Sequence, residues 1–362
     1  MSPQSKEHRQ VVRYAFYKLD PAWRRLAPER QEAAKREFGD TIESFQGRLL
    51  LRPYGLVGLR GDCDFLLWQV AEDLDALVAL QTALNRTDLG AYLAIPYSYL
   101  AMTRRSIYEF PDDPHAASRL VIRPSDSRYL FVYPFVKTRA WYALPKAERQ
   151  RMMDGHVRIG RKYPSIKLNT TYSYGLDDQE FVVAFEGDNP AEFLDLVMEL
   201  RESEASSYTL RDTPTLTCVQ MSLWDLLDTL GGASAERALT RPAVREDGFT
   251  PVATLADLPP GTRRRAYAAG EAVALFHVNG AIYAIANRCT HARASLSDGT
   301  VDPAACAVTC PWHEGRFSLE TGAVLGGPPV QPVRTYRVKV EGDTILVAPP
   351  ATAEAREPQV AR

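Results

Sequence analysis

Three segments of this 362-residue chain recur in the same order at nearly constant spacing. Ala22-Trp23-Arg24-Arg25-Leu26-Ala27-Pro28-Glu29-Arg30-Gln31 is matched by Ala140-Trp141-Tyr142-Ala143-Leu144-Pro145-Lys146-Ala147-Glu148-Arg149-Gln150. Asp62-Cys63-Asp64-Phe65-Leu66-Leu67 is matched by Asp178-Gln179-Glu180-Phe181-Val182-Val183, and Leu84-Asn85-Arg86 with Tyr92 by Leu200-Arg201-Glu202 with Tyr208. Offsets of 116 to 118 residues, kept over three segments, mark a duplication. Residues 8–230 therefore read as one domain of two like units, about 8–108 and 119–225.

Each copy reads as strand, helix, strand, strand, helix, strand. In the first, Val11–Leu19 alternates and is rich in aromatic and β-branched residues, as strands are. Glu29–Phe38 has a helical composition. Gly47–Tyr54 and Phe65–Val70 read as strands, Leu74–Leu84 as an amphipathic helix and Ile95–Thr103 as the closing strand. The second copy gives Tyr129–Val136, Lys146–Tyr163, Ile166–Tyr174, Glu180–Glu186, Glu192–Glu202 and Thr215–Val219 in the same roles. This is the ferredoxin-like βαββαβ order present twice, an α+β arrangement in which two sheets pack face to face and leave a large pocket under one of them.

The polar stretch 231–248 lacks apolar periodicity and reads as a linker. From Phe249 to about residue 350 the sequence changes to short strands with frequent turns: Ala272–Val278, Gly280–Ala286, Arg316–Ser318, Thr335–Glu341 and Thr344–Ala348. This is a small all-β module. The tail, 351–362, is rich in Ala, Glu and Pro and reads as disordered.

The module holds Cys289-Thr290-His291 and, after eighteen intervening residues, Cys310-Pro311-Trp312-His313. Two thiolates and two imidazoles from two loops are the ligand set of a Rieske [2Fe–2S] centre, in which two His replace two Cys on one iron. Each replacement puts a neutral donor for an anionic one, so the cluster accepts an electron more readily. A structural zinc site also takes Cys and His in equal numbers, yet a single residue between Cys and His is unusual for one. Cys306 has no counterpart in the first loop. High-potential Rieske proteins typically add one Cys to each loop to make a disulfide; here Arg293-Ala294 and Trp312 occupy those regions. The module therefore resembles the ferredoxin type found with bacterial oxygenases, toward the lower end of the roughly −150 to +300 mV range of such centres. His277 sits in an apolar strand and reads as a packed or surface histidine.

Lys and Arg number 43 against 45 Asp and Glu, a formal net charge of −2 that gives no electrostatic reason to expect nucleic acid or an anionic membrane as partner. The N-terminal MSPQSKEHRQ has no apolar h-region, and no apolar run approaches the ~20 residues that span a bilayer. Cys63, Cys218 and Cys306 are scattered without pairing logic, which suits a reducing cytoplasm.

The window from Tyr129 to Ser207 resembles the chlorite dismutase family, and within it the coproheme decarboxylases. The resemblance rests on Tyr133-Pro134-Phe135-Val136-Lys137, Trp141-Tyr142, Met152-Met153-Asp154-Gly155-His156, Asn169-Thr170-Thr171-Tyr172, Asp177-Asp178-Gln179-Glu180-Phe181 and Arg201 with Ser206. It implies a haem b or coproheme beneath the second sheet, with His156 as the axial ligand and Trp141 among the residues around the cofactor. It implies that Tyr133 forms the radical that takes hydrogen from a propionate after peroxide has oxidised the iron, with Lys137 holding that carboxylate or receiving the proton. Arg119, Arg201 and Ser206 would hold the other propionates; an Arg fork pairs with a carboxylate bidentately. Chlorite dismutases present an arginine thirteen residues after the axial histidine. Here Asn169 stands at that spacing, a neutral group that fits the decarboxylases and argues against chlorite dismutation.

The function expected from the resemblance is peroxide-dependent oxidative decarboxylation of coproheme III to haem b, with the cluster as an accessory electron-transfer centre. The alternatives are a Rieske-fed haem monooxygenase or peroxidase, served by a ferredoxin or flavin reductase, and a non-catalytic haem-handling or redox-sensing protein. The resemblance also implies a ring-like, pentamer-type homo-oligomer.

Overall fold

The computed structural model describes residues 9–45, 47–109, 120–232, 244–245, 247–268, 271–291 and 294–349. The expected linker lies largely outside these residues, and the tail wholly so. The chain clusters into two compact units: Met1–Ile122 with Ser127–Leu239, and Arg123–Asp126 with Thr240–Arg362.

The first unit runs β1 (Val11–Leu19), α1 (Pro28–Glu43), β2 (Leu50–Gly55), β3 (Phe65–Ala71), α2 (Leu74–Leu84) and β4 (Leu93–Met102). The second copy continues with β5 (Tyr129–Lys137), α3 (Arg139–Ala143), α4 (Lys146–Gly160), β6 (Lys167–Tyr172), β7 (Phe181–Gly187), α5 (Pro190–Glu202), β8 (Thr209–Arg211), β9 (Leu216–Gln220) and α6 (Leu223–Asp228). Both copies have the ferredoxin-like strand order, β4-β1-β3-β2 and β6-β7-β5-β9. The two half-sheets join at their edges. Met102 bridges to Tyr172, and Tyr54 and Gly55 pair with Gln220 and Val219. With β5 also paired to β7, eight antiparallel strands close into a ring and β8 hangs from the end of β5. Closure leaves these strands no free edge.

Side chains alternate across each strand, and the inward set fills the barrel. Val12, Tyr14 and Phe16 on β1 meet Leu66, Trp68 and Val70 on β3, with Leu130 and Val132 on β5 and Val182 and Ala184 on β7. The helices cover the outside. Asp73 caps α2 by accepting from the Ala76 N–H at 2.8 Å, and Thr138 caps α3. The strand expected from Gly47 starts only at Leu50, because Gly47 has φ +83° and belongs to the turn before it.

The outer layers of the two copies differ. In α1, six of sixteen residues are buried against the sheet, whereas in α4 only Met152 of fifteen is buried. Met153, Gly155, His156, Val157 and Ile159 of α4 are only half-buried. A helix of this length normally buries a full stripe. The outer helix of the second copy is therefore less fully covered than that of the first.

The second unit has a six-stranded sheet in the order β10-β19-β18-β13-β12-β11 and a four-stranded sheet β14-β15-β16-β17. These strands are β10 (Thr250–Thr254), β11 (Arg263–Ala268), β12 (Glu271–Val278), β13 (Ala281–Ala286), β14 (Thr300–Asp302), β15 (Ala307–Thr309), β16 (Arg316–Ser318), β17 (Val324–Gly326), β18 (Thr335–Glu341) and β19 (Thr344–Ala348). Phe276, Leu296, Val308 and Phe317 form the core beneath the cysteine loops.

Candidate functional site

In the second unit, Cys289 and Cys310 are buried, while His291 and His313 are exposed. The two imidazoles lie 4.8 Å apart, centroid to centroid, nearly perpendicular. Two loops hold the four residues: the Cys289 N–H donates to Ala294 O at 2.8 Å and the Cys310 N–H to Gly315 O at 2.7 Å. The Cys310 thiol is lowered to about 6, first by the Cys289 sulfur and then by the N–H groups of Trp312 and His313. Backbone N–H groups aimed at a sulfur suit a thiolate ligand and raise cluster potential. Dry sulfurs with imidazoles at the rim fit a [2Fe–2S] centre whose histidine-bound iron faces water.

A third loop, not read from the sequence, completes this region. A Cβ on Gly315 would lie 2.4 Å from Pro329 Cγ, so Gly315 is the residue that lets the Gly326-Gly327-Pro328-Pro329 segment close on the second cysteine loop. The double glycine and double proline were the available signal. Cys306 is a free, half-buried thiol, and His277 meets Leu258 O through Nδ1 at 2.9 Å.

In the first unit, the sequence-derived residues divide between two faces of the second half-sheet. Phe131, Tyr133 and Phe135 of β5 alternate to the helix side, where Phe131 and Tyr133 pack with Phe185, Phe193, Leu196 and Ile159. Tyr133 is half-buried and stacks on Phe185 at 6.1 Å. Its hydroxyl is pushed well above the usual phenol range by burial, with the charge of Asp212 adding.

His156 stands in the last turn of α4, on the same side. Its Nδ1 lies 3.4 Å from Ser203 Oγ, and that hydroxyl donates to Leu200 O at 2.6 Å. With the serine proton committed, its oxygen is the acceptor, which favours the tautomer with hydrogen on Nδ1 and a bare lone pair on Nε2. Burial, then the charge of Lys137, lowers His156 to about 4. At neutral pH it is an uncharged nitrogen donor, the state a metal ligand requires.

Lys137 is buried, its Nζ donating to Ala205 O and sitting 4.6 Å from the Trp141 ring centroid and 5.2 Å from that of Phe135. Burial lowers the amine to about 8. Lys137 thus neighbours His156 and Trp141. Trp141 is buried with Met152 and Ala205. Arg201 is exposed and paired with Asp212 at 2.5 Å, so its fork is held by a carboxylate of the chain itself. Ser206 is half-buried beside Ala205. Arg119 lies outside the described residues.

Asn169 requires correction. It is buried inside the barrel, paired with Ala184 across β6 and β7, and its Nδ2 donates to Glu186 Oε1 at 2.8 Å. The residues of β6 on the helix side are Leu168, Thr170 and Tyr172, since Leu168 pairs with Phe185 and Thr170 with Val183. Leu168, 51% exposed, is the apolar group presented where an amide was expected. Two clefts of about 260 and 310 Å³, one lined by Leu19, Arg24 and Gln31 and the other by Leu255, His277 and Val338, hold none of these residues.

Residues 31–221 match the model of the chlorite dismutase family, and residues 248–337 that of the Rieske [2Fe-2S] domain. A coproheme decarboxylase of Mycolicibacterium smegmatis is 31% identical over 178 residues, covering 49% of this chain and 75% of the relative. One from Staphylococcus carnosus is 32% identical over 214 residues, covering 54% and 84%. Among solved structures, a chlorite dismutase from Candidatus Nitrospira defluvii superposes with a TM-score of 0.57 at 24% identity, over 62% of this chain and 96% of its own. A haem-binding protein from Thermus thermophilus superposes with a TM-score of 0.54 at 26% identity, over 59% and 92%.

Proposed function

The chain belongs to the chlorite dismutase family, with a Rieske domain following in the same polypeptide, and on that footing we propose that it is a haem-dependent oxidoreductase that decarboxylates coproheme with hydrogen peroxide. The observation that carries this reading is His156: a neutral imidazole, its Nδ1 turned to Ser203 and its Nε2 left as the donor nitrogen, on α4, a helix of which only Met152 is fully buried. The apolar side chains of Tyr133, Val183 and Ile159, with Leu168 on the same side of the sheet, are of the kind that would pack on a macrocycle. Relatives named coproheme decarboxylase supply the substrate class.

When bound, the haem would supply the redox reaction with peroxide. His156 would hold the iron through Nε2. Tyr133 would give up its phenolic hydrogen to the first of the two oxidising equivalents that peroxide supplies and take a hydrogen atom from a propionate side chain. The second equivalent would remove one more electron from that side chain, which then loses carbon dioxide and becomes a vinyl group. Arg201 and Ser206 would bind other propionates, Arg201 by exchanging Asp212 for the ligand's carboxylate. Leu168 gives no cation or hydrogen bond to a bound anion, which weighs against stabilising an oxychlorine species and so against chlorite as substrate.

The exposed His291 and His313 support a second part of the reading, that the cluster exchanges single electrons with a soluble reductase. No helix among the described residues is long and apolar enough to cross a membrane.

The test is anaerobic loading with coproheme, addition of peroxide, and product masses followed in steps of lost carboxyl groups. Haem b is the expected product, and Tyr133→Phe should bind coproheme but stop at the substrate mass. Full turnover in that variant sinks the assigned radical site; loading without turnover in the wild type leaves only a haem-handling role.

A further inference from the structure

Two phenols and a carboxylate beside this site have no part in the reading above. The Tyr142 hydroxyl is 2.6 Å from Glu180 Oε2 and 2.6 Å from the Tyr174 hydroxyl. Glu180 also accepts from the Lys137 N–H at 2.8 Å, which fixes the carboxylate to β5. A carboxylate only accepts, so Tyr142 spends its one proton on Glu180 and Tyr174 donates to Tyr142. The result is an ordered row, Tyr174 to Tyr142 to Glu180, that starts at a side chain 46% exposed and ends at the strand carrying Tyr133. Aromatic rings span the same interval: Phe135 to Phe181 at 6.1 Å, then Phe181 to Tyr174 at 5.1 Å.

A phenol gives up an electron at moderate potential only if its proton can leave as well. Tyr142 has a proton acceptor in place at 2.6 Å. What acts on the Tyr133 phenol is burial and the charges of Asp212 and Arg201. A hole created in the helix-side space is therefore better accommodated at Tyr142 than at Tyr133 once the propionate hydrogen is out of reach. We propose that Tyr142 and Tyr174, with Glu180 as proton acceptor, form a redox-active phenol pair that brings one-electron oxidising equivalents to the surface, where small phenols or hydroquinones are oxidised. This rests on the peroxide-dependent reading of the haem site.

The steps balance as follows. The one-electron oxidant left by peroxide reduction at the site takes an electron from Tyr142, whose phenolic proton passes to Glu180 Oε2. Tyr174 transfers a hydrogen atom to the Tyr142 oxygen, which restores that phenol and leaves the radical on Tyr174. A donor phenol or hydroquinone at the surface gives one hydrogen atom to Tyr174 and leaves as its own radical, and Glu180 releases its proton to water. Each peroxide-derived equivalent consumes one donor hydrogen.

The alternative is a fastening role, tying α3 to the β6–β7 turn, and isosteric variants separate the two because they keep the rings. Haem-loaded full-length protein is mixed with peroxide and hydroquinone, and samples frozen within milliseconds are read for tyrosyl radicals by electron paramagnetic resonance. Tyr142→Phe, Tyr174→Phe and Glu180→Gln should each slow hydroquinone oxidation at least tenfold and change the radical spectrum, while coproheme conversion without added donor continues. Unchanged donor oxidation and spectrum in Tyr174→Phe overturn the proposal. A second arm needs no peroxide chemistry: a ruthenium photo-oxidant is flashed with haem-free full-length protein, and oxidised tyrosines are located by radical labelling and mass mapping. Labelling at Tyr174 that falls with Glu180→Gln supports the pair even if the decarboxylation reading fails; labelling indifferent to Glu180 overturns the pair even if that reading holds.

Discussion

The amide of Asn169 donates to the carboxylate of Glu186 at 2.8 Å inside the barrel, while its neighbour Leu168 faces the opposite side of the strand, toward the helices. Glu186 is only 1% exposed and also meets Lys167 at 3.1 Å. Asn169→Ala removes a donor from a buried charge, and a loss of about 1–3 kcal/mol is expected. Urea unfolding should show the lower midpoint, and binding of cyanide to the loaded protein should be unchanged. Leu168→Arg should do the reverse, with near-native stability and tighter anion binding.

His156→Gly should abolish stable haem loading, and added imidazole should restore the Soret band, because the space vacated by the side chain admits the free base. Absorption titration reads both. Loading of the glycine variant equal to wild type would remove His156 from the iron.

Lys137 makes a pH prediction for the haem-free protein. Its folded value is lowered to about 8 from an ordinary 10.5. Between those values the unfolded chain binds more protons than the folded one, so stability rises with pH across that window. Below pH 8 both states are protonated and the full cost of burying the ammonium is felt. Replacement by methionine should flatten the rise, worth at most about 3 kcal/mol, in thermal melts from pH 7.5 to 10.5.

The proposed ligand set leaves out Cys306, four residues before Cys310. Cys306→Ser should retain the visible absorption and the paramagnetic signal of the reduced cluster, and Cys310→Ser should lose both. Loss of the cluster in the first variant would show that Cys306 takes part in holding it.

Much of the fold was legible because its signals are local. α2 runs Leu74–Leu84, as its periodicity indicated, with Asp73 as cap and Asn85 past its end. The duplication gave the order of strands, and the Cys and His spacing gave the Rieske domain and the two loops that carry the four candidate ligands. What escaped were properties that depend on tertiary partners. Lys167-Leu168-Asn169-Thr170-Thr171-Tyr172 has no clear alternation of apolar and polar residues, so spacing from His156 could not say which of two neighbours faces the site. A shift of one residue in a strand exchanges its faces. Asp212 as the partner of Arg201, and Ala205 O as that of Lys137, come from segments far along the chain. β11 was missed because Arg263-Arg264-Arg265 hides a strand behind charge, and β14, β15 and β17 are only three residues each.

The long contact between His156 and Ser203 bears on what kind of iron this pocket would keep. A carboxylate at Nδ1 draws the ring proton away and makes an imidazole a strong donor. A neutral hydroxyl at 3.4 Å, its own hydrogen already given to Leu200, draws very little. An iron held by this imidazole would feel only a weak push from it, its ferric charge would be less compensated, and its reduction to the ferrous state would be easier. On the proposed reading, a single serine would set the redox poise of the haem toward one-electron reduction.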